Sequence, residues 1–379
     1  MTLFEIVSLH HKHIFLLNNN ISITPVRNHS HHNNNDFIYL LHKMRFLTFL
    51  FFSFIICTSF QSVAQERYRL VFWNVENLFD IYNDSTHHDE DFTPAGQYHW
   101  TAKRYKTKLN HLYKTIVAMG DACGGDLNLP LVVGMAEVEN DKVLRDLCQG
   151  TMLRRFRYNF IHFESSDWRG IDCALLYRRD IFHPFFSQSI NVGDSNSGFT
   201  TRDILLVQGT INESDTIILL VNHFPSKRNT ENEHWRTTIA QKLRYIMDTV
   251  TTAHPTAAII TMGDFNATPQ EQEIRHTLMQ GDDRYFVNLM ASSDDRGSYK
   301  YQGQWSFIDQ IIVSRNLIDP ESSCPFLMPT AKGNVFDAGF LLIDDERYLG
   351  KKMFRTYLGF RYQGGYSDHL PIYVDIKRK

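Results

Sequence analysis

The chain is 379 residues long, 43% hydrophobic and 13% aromatic, with 39 basic and 42 acidic side chains and a net charge of −3. That balance excludes a low-complexity or disordered protein and supplies enough apolar side chain for a sizeable core. It also excludes bulk attraction for nucleic acid or anionic membrane, so any such binding needs a local basic patch.

Residues 1–43 hold seven of the eighteen histidines and two Asn triplets, 18–20 and 33–35. No helical or turn spacing would hold those rings around a metal, so the segment reads as a disordered upstream extension with Met44 as the true start. From Met44 to Ala64 the sequence MRFLTFLFFSFIICTSFQSVA offers a basic Arg45, an apolar run from Phe46 to Cys57, and small residues before Gln65. This is the pattern of a secretory signal peptide, too short in its apolar part for a comfortable span, and it predicts secretion or a periplasmic location with no membrane anchor after cleavage. Cys57 lacks the small residues that precede a lipidated cysteine. Removing residues 1–64 takes away Lys12, Arg27, Lys43 and Arg45 with Glu5 and Asp36, leaving 35 basic against 40 acidic side chains, a net of −5. Cys123, Cys148, Cys173 and Cys324 remain, without CxxC spacing, so no structural zinc is expected; export permits one disulfide and assigns none.

Residues 65–379 contain no Pro/Ser-rich linker and no repeat, and they read as one α/β domain. Strands are predicted at 68–73, 129–135, 158–163, 171–177, 203–210, 216–223, 257–264, 307–314 and 371–376, several apolar on both faces as in sheets buried between layers. Two helices carry an apolar stripe, one through Tyr105, Leu109, Leu112, Ile116 and Met119, the other through Trp235, Ile239, Leu243, Ile246 and Val250. A shorter helix is expected over 140–149, with Glu139 as its cap.

Polar residues gather at the strand ends: Asn74 and Glu76 in WNVEN, Glu137 in GMAEVEN, Asn222 and His223 in VNHFP, Asp264 and Asn266 in GDFNATP, Asp309 in FIDQIIV, and Asp368 and His369 in SDHLP. One such carboxylate would be an ordinary cap or turn residue. Six stretches of Asp, Glu, Asn and His together suit a hard divalent cation with oxygen ligands and a phosphate; soft-metal ligation would need clustered cysteine or histidine.

In this order, over residues 72–371, the motifs resemble the endonuclease/exonuclease/phosphatase superfamily, the DNase I-like proteins, and within it a secreted bacterial subgroup. The resemblance implies a four-layer α/β sandwich of two packed central sheets flanked by helices. It implies Mg²⁺, with Mn²⁺ or Ca²⁺ as substitutes, held by Glu137 with Asn74, Glu76 and Asp368. It assigns Asp264 and Asn266 to the attacking water, His369 to the scissile phosphate, Asp309 to orienting His369, and His223 to a second histidine position with Asn222 beside it against the phosphate. Arg169, Arg202 and Arg228 flank strands near the site edge; each reads equally as a phosphate ligand, a surface charge or a structural ion pair, and Arg169 and Arg202 rank first. Two departures stand out. Ala136 precedes Glu137 where many relatives have Gln, and Gln310 follows Asp309 where Tyr or Arg is common, which puts a substrate-side contact in doubt.

The implied activity is metal-assisted in-line hydrolysis of a phosphodiester, first as an extracytoplasmic nuclease on DNA or RNA. A lipid-headgroup or small-molecule phosphatase or phosphodiesterase, sphingomyelinase-like, is the alternative, since the same core serves both. An inactive binding module is the third reading. No stable protein partner is expected. The cluster Lys103, Arg104, Lys106 and Lys108 could be a nucleic-acid face, but reads more simply as a solvated helix face. Gly364 and Gly365 are expected to let the loop carry His369 close to the phosphate.

Overall fold

Strands that are apolar on both faces must be covered on both faces, and the layers follow from that requirement. The computed structural model describes residues 39–40, 42–45, 67–121, 128–211, 215–227 and 232–379. The predicted signal peptide beyond Arg45, most of the upstream extension, Cys123 and Arg228 lie outside the described residues. Gln65–Lys379 forms one compact unit.

The strands are β1 (Arg67–Leu78), β2 (Val132–Val138), β3 (Tyr158–His162), β4 (Asp172–Arg178), β5 (Phe182–Ile190), β6 (Ile204–Ile211), β7 (Asp215–His223), β8 (Ala258–Asp264) and β9 (Phe286–Asn288). After them come the hairpin β10 (Tyr299–Tyr301) and β11 (Gln304–Ser306), then β12 (Asp309–Ser314), β13 (Phe326–Leu327) and β14 (Asn334–Val335). Two more hairpins, β15 (Leu342–Asp344) with β16 (Lys351–Met353) and β17 (Tyr357–Leu358) with β18 (Arg361–Tyr362), precede β19 (Ile372–Arg378). The helices are α1 (Ala102–Asp121), α2 (Asp141–Gly150) and α3 (Asn232–Ala253).

The first sheet runs β13-β19-β1-β2-β4-β3, with β14 also on β19, and the second runs β5-β6-β7-β8-β12-β9. Each sheet has one parallel pair, β1 with β2 and β7 with β8, and the chain crosses between them through α1 and α3 respectively. Side-chain alternation sorts the core. Leu70 and Phe72 of β1, Leu219 and Val221 of β7, and Ile260 and Met262 of β8 share one cluster between the sheets. Val71 and Trp73 pack outward with Leu109, Leu112, Ile116 and Met119 of α1, while Ile218, Leu220 and Ile259 pack outward with Ile239, Leu243 and Val250 of α3. At Gly134 the sheets approach so closely that an added Cβ would meet Met262 Sδ at 2.7 Å. The result is the helix, sheet, sheet, helix order of the DNase I-like sandwich.

Three sequence expectations change. Asn140, not Glu139, caps α2, accepting from Val143 N–H at 3.0 Å, while Glu139 accepts the Asp80 N–H. Lys108 is not on a solvated face: it is 1% exposed and donates to Thr356 Oγ1 and the Tyr366 carbonyl. The exposed strand β5, in which Phe185 and Phe186 face outward, has no counterpart among the predicted strands. Cys148, Cys173 and Cys324 are buried and free among the described residues.

Candidate active site

The carboxyl ends of both parallel pairs and the start of β12 reach the same edge of the sandwich, and strand register sets their polar ends side by side. His223 on β7 pairs with Asp264 on β8, and Asp264 with Asp309 on β12. His223, Asp264 and Asp309 continue the inward-facing series of their strands, so all three point between the sheets. Asn74 ends the inward series of β1 and closes the gap, its Nδ2 donating to Asp264 Oδ2 at 3.0 Å. Asp264 Oδ1 accepts the Asn266 N–H at 2.9 Å, and Asn266 Nδ2 donates to the Phe224 carbonyl.

His369 arrives from the loop before β19. Trp73 Nε1 donates to its carbonyl, Ser367 Oγ accepts its N–H and donates to the Asn74 carbonyl, and Tyr299 lies over the imidazole at 4.8 Å between ring centroids. Its Nδ1 is 2.8 Å from Asp309 Oδ2, which also accepts from Ser298 Oγ, and its Nε2 is 3.8 Å from Asp264 Oδ2. Gly365 is required there, because a Cβ would meet the Phe354 carbonyl oxygen at 2.0 Å. Gly364, at φ +74°, makes the left-handed turn before it.

Burial and charge then set the protonation states. Burial pushes Asp264 up to about 7, with His369 opposing and Asp309 adding to the shift. Burial alone would depress His369, but the charge and hydrogen bond of Asp309, helped by Asp264 and Asp368, hold it well above the usual imidazole range. His223 is held well below that range by burial and by Arg202, Arg169 and His369.

The other expected metal ligands sit at two bulges. Glu76 and Asn77 at φ +53° and +50°, and Glu137 at φ +65°, break the alternation at adjacent points of β1 and β2. Left-handed non-glycine residues cost roughly 1 kcal/mol or more each and re-aim side chains at functional edges. Glu137 is half-buried and accepts the Asn77 N–H at 2.8 Å.

The structure gives Glu76 and Asp368 another employment. Glu76 accepts the Thr356 and Tyr357 N–H groups and lies 3.4 Å from Arg355 Nε; Asp368 Oδ2 takes Arg355 Nη2 at 2.8 Å. Burial and the Asp368 charge raise Glu76 to about 6, whereas Arg355, His369 and Lys108 overcome burial and hold Asp368 low.

Two phosphate-binding expectations are corrected. Arg202 is buried and committed, with Nη1 on Asp167 Oδ2 and Nη2 on the Phe224 carbonyl, so it clamps the loop before β4. Asn222 falls on the outward series of β7, fully buried, and donates to the Met262 carbonyl. Arg169 stays half-exposed, 3.7 Å from Asp167, and near enough to His223 to oppose its protonation. Gln310 faces outward too, donating to the Ala267 carbonyl and accepting from Asn288, and so braces the Asp264–Asn266 loop from behind.

A helix-flanked double sheet with carboxylates, amides and an Asp-paired histidine at one edge defines the class of DNase I-like hydrolases. The chain belongs to the Endonuclease/Exonuclease/phosphatase family, whose model matches residues 69–378. Its structure is similar to an endonuclease/exonuclease/phosphatase of Bacteroides vulgatus, at TM-score 0.53 and 14% identity over 83% of this chain and 100% of that one. It is similar to D. rerio TDP2 complexed with single-strand DNA product (0.50, 16%, 82% and 99%) and to a mannosyl-6-phosphatase of Bacteroides thetaiotaomicron (0.50, 15%, 82% and 99%). At such identities the likeness speaks for the fold. No curated protein matches the sequence. Hydrolysis of phosphoester bonds is the kind of chemistry that the family assignment supports.

Asp264, Asp309 and His369 each offer a ligand atom within 4.8 Å of the others. Asp309 Oδ1 is buried without a hydrogen-bond partner among the described residues. This donor set is mostly oxygen and fits a hard divalent cation; Glu137, the expected principal ligand, is not part of the group and accepts the Asn77 N–H instead.

Proposed function

We propose that the protein is a divalent-metal-dependent phosphodiesterase, exported by the Met44–Ala64 segment and acting first on nucleic acid. The observation that supports this most is the Asp264–His369–Asp309 row, a near-neutral carboxyl beside an imidazole that a second carboxylate keeps protonated. In-line hydrolysis needs an oriented water, an acceptor for its proton, and positive charge against the non-bridging oxygens. Asn266 and Asp264 orient the water and Asp264 takes its proton, since a carboxyl near 7 is matched to base duty at neutral pH. His369 supplies the cation to the phosphate, and Arg169, half-exposed and close enough to His223 to oppose its protonation, adds a second positive charge at that edge. A bound Mg²⁺, held by Glu137 and the oxygens of the Asp264 row, would add charge neutralisation and support the departing oxygen.

A small phosphorylated substrate is the second reading, favoured by the burial of Lys108, which removes a member of the candidate basic face. The discriminating assay compares plasmid DNA, RNA, a sugar phosphate and bis-p-nitrophenyl phosphate with Mg²⁺ and with EDTA. Activity on DNA or RNA that EDTA abolishes is expected. Turnover of the sugar phosphate alone would overturn the nuclease reading, and activity surviving EDTA would overturn the metal.

A further inference from the structure

We propose that His162, Glu164 and Asp172 form a binding site for a divalent cation, Zn²⁺ or Mn²⁺, that shares no residue with the phosphoester site. Antiparallel pairing of β3 with β4 brings the end of one strand to the start of the other, and each of the three side chains places a ligand atom within 4.8 Å of the other two.

The case rests on how His162 is held. Its side chain is 1% exposed, and Nδ1 lies 3.0 Å from Asp141 Oδ1. A carboxylate there fixes one proton on Nδ1; burial opposes a second, but Asp172, Glu164 and Asp141 raise the affinity of the ring for it, and a metal ion would take the place of that second proton on Nε2, as in metal-binding imidazoles. Nε2 faces Asp172 Oδ2 at 3.4 Å, and both atoms are buried without a hydrogen-bond partner among the described residues. Asp172 Oδ1 is occupied by the Ser165 N–H at 3.0 Å, which leaves Oδ2 aimed at the imidazole. Two electron-rich atoms so placed repel unless a proton or a metal cation stands between them.

The separation suits one. Ligands about 2.0–2.1 Å from a tetrahedral Zn²⁺ stand about 3.3 Å apart. Glu164, which is exposed, supplies the third donor from the solvent side, leaving room for water. One imidazole with two carboxylates is too nitrogen-rich for a typical Ca²⁺ or Mg²⁺ cage and lacks the sulfur of soft-metal sites. A cation there would pin β3, β4 and the loop between them, which carries Arg169, to the first residue of α2. The rival arrangement is an imidazolium bridging Asp141 and Asp172.

The test uses the whole domain after chelation and desalting, titrated with Zn²⁺ or Mn²⁺ alone by calorimetry, with bound metal counted by mass spectrometry and His162 followed by ring ¹⁵N NMR. Wild type is expected to bind one equivalent more than His162→Asn or Asp172→Asn, and Asp264→Asn to retain that equivalent. The tighter of the two ions identifies the class. Equal stoichiometry in wild type and both variants, or a His162 ring that keeps both N–H protons at saturating metal, overturns the proposal. If those variants fail to fold, the exposed Glu164→Gln decides: affinity about 10-fold weaker supports the site, and unchanged affinity overturns it.

Discussion

His369 and His223 come from opposite sheets and point at the same oxygen, with Nε2 at 3.8 and 3.6 Å from Asp264 Oδ2. Both are buried, yet they titrate in opposite directions. Asp309 sits on Nδ1 of His369 and more than reverses the effect of burial. His223 Nδ1 has no hydrogen-bond partner among the described residues, and burial together with Arg202, Arg169 and His369 keeps that ring neutral. A carboxylate partner, more than depth, therefore decides which imidazole is the cation. The pair leaves Asp264 flanked by one charged and one neutral ring, so the phosphate has one imidazolium to meet.

The largest expected effect breaks the comparison outright. His369→Ala should lower kcat/KM by about 10³-fold or more, because it removes a cation aimed at charge that grows in the transition state. His223→Ala should cost less, about 10²-fold, the low end for a positioned side chain that can only exchange a proton. Steady-state kinetics on bis-p-nitrophenyl phosphate measures both, and equal losses would mean that the rings do not differ in charge.

Asp309→Asn should sharpen it with a smaller loss, about 10–100-fold in kcat, and a displaced pH profile. The folded pKa of His369 is raised, so its cation is present at low pH and is lost as pH rises through the folded value. Activity should rise through about 7 as Asp264 ionises and fall on the alkaline side as His369 deprotonates. Without the Asp309 charge the alkaline limb should move to lower pH. A limb that stays in place would assign it to another group.

The same pairing rule explains which parts of the site could be read in advance. The strands that carry it were legible because long apolar runs such as TIILLV and AAIITM fix both the element and its layer. Alternation within TIILLVNH also places His223 with the inward Ile217, Leu219 and Val221, and Asn222 on the opposite face, so the failure of Asn222 as a phosphate ligand was visible in the pattern. Lys108 likewise falls on the same helical stripe as Tyr105 and Leu112, whose burial it shares.

Arg202 was not legible in this way, since its partner Asp167 lies 35 residues away and the sequence does not show who pairs with whom. Glu76 and Glu137 were placed by motif alone, because bulges at positive φ interrupt the alternation that would orient them. Ser298, Tyr299 and Arg355, which surround His369 and Asp368, come from short hairpin-rich segments without periodicity.

Two carboxylates extend the rule from imidazoles and give the smallest predicted effect. Asp368 has Arg355 beside it and is held low, while Glu139, with no cation paired to it among the described residues, is pushed up to about 8, first by burial and then by Asp80, Asp89 and Glu164, against the Asp80 N–H bond. A raised folded pKa means that the associated stability is fully present below the unfolded value near 4.5 and is lost as pH rises through about 8. Glu139→Gln keeps an acceptor for the Asp80 N–H and removes the charge. In EDTA, thermal unfolding of the variant should therefore match wild type at pH 4, below the unfolded value near 4.5, where the Glu139 carboxyl is neutral in the folded state and largely neutral in the unfolded one. At pH 9 it should melt about 1–2 °C higher, the equivalent of about 1 kcal/mol in a domain of this size. A variant that is less stable at both pH values would show that the hydrogen bond to Asp80, and not the unpaired charge, governs Glu139.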